Sequence, residues 1–144
     1  MTSACLRDRL GVYLATCRER IVMTGKLIAF VPTLDLARAR AFFEGILGMR
    51  LVSEDGFASV FDASGTHLRV TKVEKLTPQP FTVLGWEVAD IGDSVSRLSK
   101  HGVQFEKYGM PGQDDRGIWT SPSGARIAWF KDPDGNVLSF TQFQ

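Results

Sequence analysis

The sequence is short of cysteine, histidine, long apolar runs and net charge, and each shortage removes a class of protein. Two cysteines, Cys5 and Cys17, both near the start, cannot build the bridge framework of a small secreted domain; reduced thiols in a cytoplasmic setting are the simpler expectation. No apolar stretch approaches the roughly 20 residues that span a bilayer. The start also lacks the basic end, apolar core and small-residue cleavage site of an export signal, so no membrane partner is expected. With 17 Lys+Arg against 16 Asp+Glu, the net charge of +1 gives no single-sign field to draw nucleic acid. No serine or cysteine nucleophile stands beside a base, and neither a phosphate-cradling glycine loop nor a zinc spacing occurs.

What is present fits one domain: 144 residues, 44% of them hydrophobic, suffice for a single core. Residues 1–25 stand apart. Leu6, Leu10, Tyr13, Leu14, Cys17 and Ile21 recur at helical spacing, with Arg7, Asp8, Arg18 and Glu19 on other faces. This N-terminal extension reads either as a docking helix or, since Met23 offers a second start, as upstream sequence.

From residue 26 the pattern is a strand at Leu27–Val31, a break at Pro32-Thr33, and a helix capped by Asp35 and closed by Gly48. Strands follow at Met49–Ser53, Phe57–Phe61 and Thr66–Val73. The order then repeats: strand Thr82–Val88, cap Asp90, helix to Gly102, and strands near Val103–Lys107, Ile118–Thr120, Ala125–Phe130 and Val137–Gln142. The two modules, 26–77 and 81–143, each end in an Asp-x-x-Gly turn, of which Asp132, Asp134 and Asn136 read as ordinary turn residues. Neither βαβββ module buries its own small sheet. An α+β fold is expected over 26–144, with one curved mixed sheet, helices on the convex side and a concave cleft.

Phe30-Val31-Pro32-Thr33-Leu34-Asp35-Leu36, Leu84-Gly85-Trp86-Glu87-Val88-Ala89-Asp90 and above all Trp129-Phe130-Lys131-Asp132-Pro133-Asp134-Gly135-Asn136 resemble the vicinal oxygen chelate superfamily of glyoxalase I, extradiol dioxygenases, fosfomycin resistance enzymes and bleomycin resistance proteins. The resemblance implies a glyoxalase/bleomycin resistance fold, a homodimer and a divalent metal held by His, Glu or Gln on the first and last strand of each module. Its ligand positions fall on Ile28, Val83, Arg69 and Ser139. Two of these are hydrocarbon and one is a fixed cation, so no metal and no cofactor are expected.

Strand alternation places Phe30, His67, Glu87 and Thr141 on the cleft face with those four positions, and Trp119 beside the long second-module loop. Pairing the two hairpins through Asp62 and Asp132 puts Trp129 on the helix side. His101 reads as a helix end. Arg69 and Glu87 either neutralise each other or leave Arg69 free for an anion. The function expected is metal-free sequestration of a small organic molecule, anionic or aromatic. One alternative is a glyoxalase-like lyase or isomerase using Glu87 or His67 as catalytic base, and another is a regulatory dimer with a vestigial cleft.

Overall fold

The computed structural model describes residues 22–144; the helix read within residues 1–21 lies outside them. The first module runs β1 (Ile28–Thr33), α1 (Leu36–Arg40), β2 (Arg50–Glu54), β3 (Ala58–Ala63) and β4 (Thr66–Lys72). The second runs β5 (Thr82–Glu87), α2 (Ile91–Lys100), β6 (Ile118–Thr120), β7 (Arg126–Lys131) and β8 (Val137–Gln142). Asp35 and Asp90 cap the helices by accepting from the backbone N–H of Arg38 and Asp93. Beyond α1 the chain widens into a π-helical turn, Ala41–Ile46, which buries the adjacent Phe42 and Phe43 together.

Each module forms a four-stranded sheet of one topology, β1-β4-β3-β2 and β5-β8-β7-β6, with its first strand parallel to its last. The curved surface therefore consists of two ladders. The edges β1 and β5 run side by side at the junction, and no ladder joins them. The helices pack on one face of the sheets, and the core is continuous across both modules: Val31, Phe43, Phe61, Leu68 and Val70 join Ile91, Val95, Phe130, Leu138 and Phe140.

The expected break at Pro32-Thr33 is absent, because β1 continues through both residues. Pro32 is tolerated on this edge strand: its carbonyl points away from β4 and accepts from Asn136 Nδ2 at 2.9 Å, whereas the Thr33 carbonyl faces β4 and accepts from Val73. The strand expected near Val103–Lys107 shrinks to one bridge, Phe105 with Phe130.

The Asp132–Asn136 turn clasps the first module. Asp134, whose side chain is 1% exposed, accepts from the Thr33 hydroxyl at 2.5 Å, from Leu34 N at 3.0 Å and from Arg38 at 3.0 Å. Asp132 organises the turn by accepting from the backbone N–H of Asp134 and Asn136 and from Asn136 Nδ2. Burial raises the Asp132 carboxyl above its ordinary value, against the pull of those hydrogen bonds.

Candidate functional site

The face opposite the helices is built from rows of residues paired across strands. In the first module the rows are Asp62, His67 and Ile28; Val60, Arg69 and Phe30; and Ala58, Thr71 and Pro32. In the second they are Trp119, Ile127, Thr141 and Glu87; Trp129, Ser139 and Gly85; and Lys131, Val137 and Thr82. The Asn136–Pro32 bond brings the end of β1 to the start of β5, so the two strands run antiparallel at the seam. Phe30 therefore lies along the middle of the seam, and Ile28 and His67 lie toward the Glu87 end.

Trp129 lies on this concave face, not on the helix side. Turn length is the reason. Phe130 and Leu138 occupy the places of Phe61 and Leu68, so the second turn holds one residue more than the first, and β7 is shifted by one against a pairing through Asp62 and Asp132. A shift of one reverses a strand's faces. The buried aromatics Phe61 and Phe130, each 0% exposed, were the signal that could have corrected the alignment. The Trp129 indole donates to the Thr82 hydroxyl at 3.1 Å, reaching across β8 to β5. Trp119 packs against it at 6.1 Å and Tyr108 meets it edge-on at 5.6 Å. Partial burial raises the Tyr108 hydroxyl above its ordinary pKa.

Of the other positions read from sequence, Ile28 and Phe30 are 50% and 62% exposed and form an apolar strip along the seam. Val83 sits at a bulge between Thr82 and Leu84, so Thr82, not singled out from sequence, takes the row position opposite Val137. Ser139 is 7% exposed in the row between Trp129 and Gly85, and Thr141 is half-buried. His67 and Glu87 are exposed at one end of the face.

Arg69 and Glu87 form no ion pair, which corrects the reading that they neutralise each other. Arg69 is half-buried at the centre of the first module's face, and the charge that feels it is Asp55. Asp55 is held below the usual carboxylate range chiefly by the backbone N–H groups of Phe57 and Ala58, with Arg69 a smaller influence. Two residues along β4, the Thr71 hydroxyl is buried with no hydrogen-bond partner.

The ligand positions implied for a metal do not fit one. Ile28 and Val83 have no donor atom, Arg69 repels a cation, and Ser139 offers one covered neutral hydroxyl. Among the described residues no three of His, Cys, Asp or Glu are grouped. On the opposite side, a cavity of ≈ 250 Å³ between the modules is lined by Met49, Trp86, Leu98 and Phe140, with Arg97 and His101 also on its wall. His101 thus closes α2 and borders this cavity, away from the concave face.

Paired βαβββ modules around an open concave face define a small α+β scaffold. The chain belongs to the Glyoxalase/Bleomycin resistance protein/Dioxygenase superfamily, whose profile matches residues 27–140. No curated protein sequence matches it. Solved structures similar to it include a glyoxalase family protein from Bacillus anthracis, with TM-score 0.68, 16% identity, and 88% of this chain and 100% of that one covered. TnmS3, an antibiotic binding protein from Streptomyces sp. CB03234, has TM-score 0.67 and 22% identity, covering 87% and 100%. The fosfomycin resistance protein FosX from Listeria monocytogenes has TM-score 0.68 and 14% identity, covering 85% and 96%. At these identities the likeness is one of fold.

Proposed function

We propose that this chain is a binding protein whose concave face holds a small organic molecule with a flat aromatic part, without a metal. The observation that carries this reading is the cluster of Trp129, Trp119 and Tyr108 on the same face as the exposed Ile28 and Phe30. Indole faces are broad and rigid, and an apolar strip left open to water beside them suits ring stacking. An antibiotic-binding role in a protein of the same fold is consistent with such a use. The lyase or isomerase alternative draws less support, since Glu87 and His67 are exposed and, among the described residues, neither enters an ion pair that would orient it as a base. We also read the chain as a homodimer, because β2 and β6 leave an unpaired sheet edge among the described residues.

The test is a thermal-shift screen of polycyclic aromatic natural products against the protein and Trp129→Ala. Stabilisation of the parent by at least one compound, lost in the variant, is the expected result. No stabilisation at millimolar ligand, together with measurable proton exchange on carbonyl compounds, would favour the enzyme instead.

A further inference from the structure

The middle of the concave face carries two polar groups that a neutral aromatic ligand does not explain. Arg69 projects from the row between Val60 and Phe30, half-buried and without an ion-pair or hydrogen-bond partner among the described residues. A guanidinium partly withdrawn from water loses hydration, and the distant attraction of Asp55 supplies no hydrogen-bond acceptor in its place. The Thr71 hydroxyl, two residues further along the same strand and face, is also unpartnered. Beside Arg69 in the same row, on the paired strand β1, the Phe30 ring is 62% exposed.

These features sit at compatible spacing. Adjacent paired strands lie roughly 4.8 Å apart, which is the step between the β4 position of Arg69 and the β1 position of Phe30. A ring system of one or two fused rings carrying a short anionic group spans that interval. Building on the binding role above, we propose that the ligand is an aryl anion: its carboxylate sits in the planar fork of Arg69 and its ring lies on the exposed Phe30 ring beside it. A carboxylate matches the two parallel N–H donors of the fork, which a lysine would not supply.

Isothermal titration with 2-naphthoate and its neutral isostere 2-naphthamide tests this. The parent should bind 2-naphthoate at least tenfold more tightly than 2-naphthamide, with affinity falling as salt rises. Arg69→Gln should remove the preference for 2-naphthoate over 2-naphthamide, and Arg69→Lys, which keeps the charge but not the fork, should retain only part of it. Phe30→Ala should weaken both ligands. Equal binding of the two ligands, or a preference that survives both Arg69 substitutions, overturns the anion assignment and leaves the concave binding role standing. Failure of both ligands to bind the parent overturns the two together.

Discussion

The Thr33 hydroxyl donates to the Asp134 carboxylate at 2.5 Å, a bond between residues 101 positions apart that fastens the second module's last turn to the end of the first module's opening strand. The same carboxylate takes the Leu34 N–H and the Arg38 guanidinium, so one side chain satisfies three donors at the junction.

Asp134→Ala should therefore cost about 2 kcal/mol of stability, because the truncation removes the shorter of the two acceptors of the buried Thr33 hydroxyl and the acceptor of the exposed Leu34 N–H and Arg38 guanidinium. Urea unfolding measures it. A loss below about 1 kcal/mol, the range of a surface pair, would show that the clasp adds little.

Asp132 gives a pH signature of opposite sign to an ordinary paired carboxylate. Burial raises its folded pKa, so its stabilising contribution is present below the unfolded value and is lost as pH rises through the folded one. Asp132→Asn has no such loss. It keeps the acceptor for the two backbone N–H groups but sets two amides face to face with Asn136, a fixed penalty. The gap between variant and parent should thus narrow as pH rises above about 4, the ordinary carboxylate value, toward the raised value at which the folded group ionises. Urea midpoints that diverge over this range would refute the assignment.

Gly85 meets Ser139 closely: a Cβ at position 85 would stand 2.7 Å from Ser139 Oγ. Gly85→Ala should destabilise by about 1–2 kcal/mol as an overpacked site, and Ser139→Ala should recover most of that loss in the double variant. Additive effects would mean that the hydroxyl turns aside freely.

Dialysed protein should melt at one temperature with or without micromolar Zn²⁺, Ni²⁺, Mn²⁺ or Fe²⁺, since Ile28, Val83, Arg69 and Ser139 offer no ligand set to couple metal to folding. A rise of several degrees, reversed by chelator, would contradict this.

Light scattering at micromolar concentration should return a dimer mass, as unpaired edges at β2 and β6 favour association. A monomer mass would remove the dimer reading.

The architecture was readable in the chain because its signals are local. Asp35 and Asp90 announce helix starts by their own chemistry, and the repeat of apolar strands exposes the duplication. Faces were harder. They depend on a count through each turn, and the extra residue between Phe130 and Leu138 turned Trp129 from expected core into the centre of the aromatic cluster. The role of Asp134 was hidden for another reason: turn chemistry explains an Asp-x-x-Gly sequence completely, and nothing local reveals that the carboxylate also serves a strand a hundred positions earlier. Arg69 and Glu87 were rightly placed on one concave face, but alternation fixes direction without fixing reach, and the expected pair does not form.

The clasp also bears on the order in which the molecule assembles. Closing a loop of 101 residues costs chain entropy that only an already folded pair of modules can offset. The bond should accordingly form after the main barrier, so that losing Asp134 accelerates unfolding while leaving the folding rate almost untouched. The junction then acts as a latch on kinetic lifetime, and the two modules can find their own shapes before it shuts.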